Sequence, residues 1–368
     1  MTHRSLRVVA GAATLALVLG ACSSGATTAP SAAPSTAASP SAAASAAGSP
    51  AASGATLNAV TVIPKQINNP YFDVAFKGMQ NAAKDLGGTP TQVGPSAADA
   101  TQQVPFIQTA TTQNVSAIII SADDATAVAP ALQAAMQAGI KVVGYDSSPA
   151  VGAYNVFVNQ ADTAGIGTGL AQMACDIAPN CTGEIAVLSA AQTATNQNAW
   201  IAAMKDTLTQ SKYAGLKLDA VVYGNDDPQV STTQAQGLLS TYPNLKVIIA
   251  PTTVGIVAAA QVVTQQNKIN QVFVTGLGTP KGMQAYVKSG VSPEFALWNV
   301  TDLGYLAYAV AADLVSGKIT GTPGENFVVP SLNNGQPYTI GQDSVVVLGP
   351  PFVFNKDNID QYVTEFGF

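Results

Sequence analysis

From residue 57 onward, runs of apolar and β-branched residues alternate with stretches whose apolar positions recur every three or four residues. These are the periods of a buried strand and an amphipathic helix. The first run, Leu57 to Ile63, leads through "IPKQINNPYFD" (63–73) into a helix with Phe72, Phe76, Met79, Ala83 and Leu86 on one face. Gly87-Gly88 and Pro90 end it. Further strands are predicted at Thr91 to Val93, Ala117 to Ser121, Lys141 to Tyr145, Tyr154 to Val158, Glu184 to Ser189, Leu218 to Tyr223, Lys246 to Ala250, Gln271 to Thr275 and Phe295 to Asn299. Helices are predicted at Ala125 to Ala138, Ala164 to Ile177, Asn198 to Gln210, Gln229 to Thr241, Val254 to Gln266, Lys281 to Ser289 and Leu303 to Ser316. This alternation predicts an α/β fold with parallel sheets, and so many strands predict two similar lobes rather than one wide sheet. An internal echo agrees: residues 129–149 and 258–280 each read as a helix, a strand and a small-residue turn.

The first 55 residues lack this pattern. A basic start (His3, Arg4, Arg7) precedes an apolar run, Val8 to Leu19, that is short for a bilayer span and reads as a secretion signal. It ends in Leu19-Gly20-Ala21-Cys22, similar to the lipobox of bacterial lipoproteins, which makes residues 1–22 a lipoprotein signal and Cys22 the lipidated residue. Two acyl chains there would anchor the protein stably to the outer face of the cell membrane. An ordinary cleaved signal is the alternative, and either implies work outside the cytoplasm. Residues 23–55 are almost wholly Ser, Ala, Thr, Pro and Gly, the composition of a disordered tether.

The chain has 10% charged residues and a net charge of -6, so it lacks the basic footprint that nucleic-acid binding requires. Its single histidine is His3, which excludes His-based triads and most zinc sites from the folded part. Cys175 and Cys181 in "CDIAPNC" are expected to form a local disulfide in an oxidising compartment, with two free thiols as the alternative. The acidic pairs Asp123-Asp124 and Asp226-Asp227 precede helices and read as caps. "GIGTGLAQ" (165–172) has Leu170 where a dinucleotide loop needs its third glycine, and "GLGTPKG" (276–282) is wrongly spaced. No cofactor, no metal and no enzymatic activity are expected.

Polar and aromatic residues gather where the predicted strands end, the ligand-binding edge of open α/β sheets. Lys65, Asn69, Tyr71 and Phe72 follow the first strand, and Asp146 and Ser147 follow the fourth. In the second lobe the set is Asn196, Gln197, Asn198 and Trp200, then Pro251 and Thr253, Gly278 and Thr279, and Trp298. Facing one another across a cleft, these suit a small polyhydroxylated ligand. Amides both donate and accept, a carboxylate such as Asp146 takes strong bonds from hydroxyls, and aromatic faces cover C–H surfaces. Phe72 also begins the apolar face of its helix, so it reads equally as core.

The segments "PKQINNPYFDVAFKGMQNAA", "AIIISADDATAVAPALQAAMQAGIKVVGYDS", "TNQNAWI", "VVYGNDDPQVSTTQAQGLL", "IIAPTTVGIVAAAQVV" and "VTGLGTP" together resemble the sugar-binding lipoproteins and periplasmic proteins of bacterial ABC importers. The resemblance is to the type I, ribose-binding-like branch, nearest its rhamnose- and autoinducer-2-binding members. It implies two Rossmann-like lobes joined by a three-stranded hinge. The lobes would be residues 56–158 plus 300–342 and 159–299 plus 343–368, with crossings near Asn159, Asn299 and Asp343. It also implies ligand contacts from Lys65, Asn69, Tyr71, Phe72, Asp146, Asn196, Gln197, Pro251 and Thr253, to which Trp298 is added from its place in the cleft.

Ribose binders carry an arginine where this chain has Ser147 and an aspartate in the turn where it has Gly278, which argues against ribose. Autoinducer-2 binders have an aspartate at the position of Asn196. Rhamnose or a related deoxy sugar is therefore the favoured ligand, with autoinducer-2 or a small polyol as the alternative. The expected partners are that sugar, the permease of an ABC importer and, through Cys22, the membrane. The protein itself is expected to be a monomer.

Overall fold

A computed structural model of the chain describes residues 56–368. The expected signal, Cys22 and tether lie outside the described residues. The first half runs β1 (Ala59–Ile63), α1 (Pro70–Leu86), β2 (Thr89–Gln92), α2 (Ala100–Thr112), β3 (Ala117–Ile120), α3 (Ala129–Gln137), β4 (Lys141–Tyr145), β5 (Val156–Asn159), α4 (Thr163–Ile177) and β6 (Gly183–Ser189). There follow α5 (Thr195–Leu208), β7 (Leu216–Tyr223), α6 (Pro228–Thr241), β8 (Leu245–Ala250), α7 (Thr253–Gln265), β9 (Phe273–Gly276), α8 (Pro280–Lys288), β10 (Glu294–Leu297) and α9 (Val300–Ser316). The C-terminal part adds β11 (Asn326–Phe327), β12 (Tyr338–Thr339), β13 (Val345–Val347), β14 (Phe352–Asn355) and α10 (Ile359–Phe366).

The α/β expectation holds. One parallel sheet has the order β13-β5-β4-β3-β1-β2, and a second has the order β7-β6-β8-β9. An antiparallel β10–β14 ribbon joins the second through a Leu277–Ala296 bridge. Strands buried on both faces read as continuous apolar runs, and β3 (Ala-Ile-Ile-Ile) is buried at all four positions.

The chain passes between the sheets three times. After β5 it enters the second lobe, and after β10 it returns, with Asn299 capping α9 by accepting from the N–H groups of Thr301 and Asp302. The third passage departs from expectation. β13 still pairs with β5 in the first sheet, and the Leu348 N–H donates to the Asn159 carbonyl at 2.9 Å. The crossing therefore lies between Val347 and Phe352, several residues beyond Asp343. The three-valine run of β13, an edge strand with only Val346 buried, is too short to stand out from its surroundings.

Helix α2 was not expected. Pro105 sits inside it, and Gln103, a polar residue, is fully buried on its inner face. Both interrupt the apolar stripe from which helices are read. Asp99 caps its start by accepting from the Thr101 N–H at 2.8 Å. Helices α1 and α9 meet backbone to backbone: a Cβ on Gly78 would lie 2.0 Å from the Thr301 carbonyl oxygen, and one on Gly304 1.8 Å from that of Ala75. Cys175, near the end of α4, and Cys181, before β6, form a disulfide.

Candidate functional site

The carboxyl ends of β1, β4, β6, β7, β8 and β10 converge between the two lobes. Most of the loops there lead directly into helix N-termini, and the side chains at those starts point at one enclosed space of about 30 Å³. All ten residues expected as ligand contacts line it: Lys65, Asn69, Tyr71, Phe72, Asp146, Asn196, Gln197, Pro251, Thr253 and Trp298. Trp200 completes the aromatic part. Ser147, Asn198, Gly278 and Thr279 are not among the lining residues. Gly278 packs inward, where a Cβ would meet the Met283 side chain at 2.7 Å, so a larger residue there requires the Met283, Ile256 and Phe295 side chains to give way.

Most of the polar groups are held by their neighbours, the exception being Gln197, whose buried Oε1 has no hydrogen-bond partner among the described residues. Asn69 caps α1, accepting from the Tyr71 N–H at 3.1 Å, and Pro70 stands at the first helical position where its missing N–H costs nothing. This aims Tyr71 inward. Its hydroxyl donates to Asp146 Oδ1 at 3.0 Å and accepts from Trp298 Nε1 at 3.0 Å. Burial, together with the Asp146 charge, pushes the Tyr71 hydroxyl well above its ordinary pKa, so it remains a donor. Asp146 adopts φ +60°, a left-handed conformation that a non-glycine residue holds only under constraint, and its Oδ2 accepts from Ser121 Oγ at 2.7 Å. Phe72 has both roles foreseen for it, lining the space while packing edge-on against Tyr71 and Tyr145.

The two lobes touch through these groups. Lys65 Nζ, buried, donates to Asn196 Oδ1 at 3.0 Å and lies 3.9 Å from Asp146 Oδ2. Asn196 Nδ2 reaches Asp146 Oδ1 at 3.4 Å. At the rim farther from the crossings, Gln66 Nε2 donates to the Asp226 backbone oxygen at 3.1 Å. The same space is lined by Trp200, Trp298, Leu277 and Leu297, with the two indole rings 5.9 Å apart.

The reading of the acidic pairs as caps holds for Asp227, the N-cap of α6, while Asp124 closes a turn ahead of α3, whose cap position is Val128. Asp124 accepts from the N–H groups of Thr126 and Ala127, and Asp227 from that of Val230. Their neighbours are buried instead. Asp226 lines the enclosed space, accepts from the Thr252 hydroxyl and has a pKa raised by burial. Asp123 is 1% exposed, and neither carboxyl oxygen has a hydrogen-bond partner among the described residues. Burial pushes it up to about 8, with the Lys65 charge opposing and the Asp226 charge assisting. Adjacency to an acid with local N–H partners hid both residues in the sequence. Thr252, Leu277 and Leu297 were also missed, because they read as turn and strand interior.

Residues 60–319 match the family model described as "Periplasmic binding protein domain". A solved ABC-transporter solute-binding protein from Clostridium phytofermentas with bound L-rhamnose is 39% identical with a TM-score of 0.81, covering 84% of this chain and 99% of its own. LsrB from Clostridium saccharobutylicum in complex with AI-2 is 26% identical with a TM-score of 0.76, covering 83% and 99%. A curated relative, the D-ribose/D-allose-binding protein of Pseudomonas aeruginosa, is 23% identical over 201 residues, 52% of this chain and 60% of that protein's length. The family works outside the cytoplasm and consists of binding proteins, not enzymes. The chain thus belongs to the periplasmic binding protein family, which it shares with solute-binding proteins of ABC transporters.

Proposed function

We propose that this protein captures a small neutral sugar between its lobes, with L-rhamnose or a related deoxy sugar favoured, and presents it to the permease of an ABC importer. The observation that carries this reading is the mixed lining of the site. Lys65, Asp146, Asn196 and Gln197 offer donors and acceptors, and Trp200, Trp298, Leu277 and Leu297 offer apolar surface to the same space. A 6-deoxy sugar matches both, because its methyl group needs an apolar surface where a hexose hydroxyl would need a partner. The L-rhamnose bound to the Clostridium phytofermentas protein supports the same class.

The enclosed space is smaller than a sugar ring. Entry therefore exchanges the direct bonds between the lobes, Lys65 to Asn196 foremost, for bonds to the ligand. Bonds to the ligand replace those released, so the exchange leaves no buried donor stranded. A ligand of the autoinducer-2 type is the second reading, supported by Lys65 and by the likeness to LsrB. Membrane attachment through Cys22 is supported by the "LGAC" motif. Isothermal titration of the folded part with L-rhamnose and a panel of aldoses tests the sugar reading. Flat heats across the panel would sink it.

A further inference from the structure

Asp226 is the acidic residue that the site uses least. Its neighbour Asp227 supplies the cap of α6 alone, so Asp226 is not needed there. It is nonetheless held firmly: φ is +50°, the backbone carbonyl accepts from Gln66 of the facing lobe, and Oδ1 accepts from the Thr252 hydroxyl. Thr252 lies between Pro251 and Thr253, so this bond fixes the carboxylate against the wall of the enclosed space.

The accepting capacity of the two carboxylates that line the space differs. A carboxylate has about four acceptor positions. Asp146 has Tyr71 and Asn196 on Oδ1, and Ser121 on Oδ2 with Lys65 close by. Asp226 has Thr252 on Oδ1, and its Oδ2 accepts no hydrogen bond among the described residues. The nearest ammonium, on Lys65, is committed to Asn196 and Asp146. Of the two carboxylates that line this space, Asp226 is the one that keeps a free acceptor oxygen for an entering hydroxyl.

We propose that Asp226 is a ligand-contacting residue that sets specificity, taking the hydroxyl hydrogens of a neutral polyol and turning away anionic sugars. The proposal rests on the sugar reading above and deepens it. Charge-assisted bonds from ligand hydroxyls to a buried carboxylate are strong, and a uronate brought to the same place meets repulsion instead. Lys65 offsets only part of this, because Asp146 shares its neighbourhood with Asp226.

Asp226→Asn separates the charge from the structure. Asparagine tolerates the left-handed backbone, keeps an oxygen for the Thr252 hydroxyl and leaves the carbonyl that Gln66 uses. The experiment is titration calorimetry of wild type, Asp226→Asn and Asp227→Asn with L-rhamnose, the aldose panel and D-glucuronate, with melting curves alongside. On whichever neutral sugar gives heat with wild type, Asp226→Asn is expected to bind about 10- to 150-fold more weakly. Its melting temperature should be unchanged and its glucuronate binding stronger than that of wild type. Asp227→Asn, which keeps a good cap, is expected to behave as wild type. Equal affinity of wild type and Asp226→Asn for the neutral sugar overturns the proposal, as does wild type that binds glucuronate as tightly as that sugar. Comparing on the sugar that binds keeps a failed rhamnose assignment distinct from a failed role for Asp226.

Discussion

The ammonium of Lys65 and the side-chain oxygen of Asn196, 131 positions apart in sequence, meet at 3.0 Å with one residue from each lobe. Lys65→Met keeps the length of the side chain and removes the charge. It breaks this bridge and leaves Asp146 without its nearest cation. Affinity for the sugar is expected to fall about 10- to 150-fold, the range for hydrogen bonds to charged groups. Titration calorimetry measures it, and an unchanged affinity would remove Lys65 from the site.

Gly304→Ala tests the contact between α1 and α9. The added Cβ would sit 1.8 Å from the Ala75 carbonyl oxygen, a backbone atom that moves only if the helix moves. The expected loss is about 3 kcal/mol or more, at the upper end for overpacking. Chemical denaturation measures it. The same displacement would shift Tyr71 against Trp298, so sugar affinity should fall in whatever protein remains folded.

Asp123 predicts a dependence of stability on pH. Its folded pKa of about 8 is raised from an ordinary carboxylate value, so the folded chain holds a proton that the unfolded chain has released. Its contribution is therefore fully present at pH below the unfolded value near 4, and is lost as pH rises to about 8. Asp123→Asn is expected to flatten that part of the stability curve and to raise the melting temperature at pH 8. Melting curves of both proteins from pH 4 to 9 supply the test, and parallel curves would refute the assignment.

Replacing Cys175 and Cys181 together by serine opens a loop of six-residue separation. Loop-closure entropy for so short a ring gives an expected loss of about 2 kcal/mol. Sugar affinity should hold, because neither cysteine lines the enclosed space. Denaturation and calorimetry on the double variant check the two halves of this expectation.

The strands as far as β10 and most helices were legible because burial on both faces or on one stripe leaves a periodic trace, whereas β11 to β14 are too short to leave one. Lys65, Asn69, Tyr71 and Asp146 were legible for another reason: residues costly to place at a strand end, such as a lysine beside two asparagines, stand out from ordinary turn chemistry. Asp226 and Asp123 were not, since an acid before a helix has a sufficient local explanation in the turn or cap beside it. Gln103 escaped notice because its work is wholly tertiary. Its amide donates to the carbonyls of Pro64 and Ser121 and accepts from the Asp123 N–H. No local pattern records bonds of that kind.

The three passages between the sheets lie together at one end of the molecule, beside β5, β13 and the β10–β14 ribbon, while β2 and β7 mark the opposite edges. Any rotation about the passages acts as a lever, moving each atom in proportion to its distance from the axis. Gln66 and Asp226, joined at 3.1 Å, sit toward the long end of that arm. A few degrees of opening that barely disturb the Asn159–Leu348 bond would part them by ångströms, so a pair of probes near these two residues would magnify the motion more than probes beside the passages.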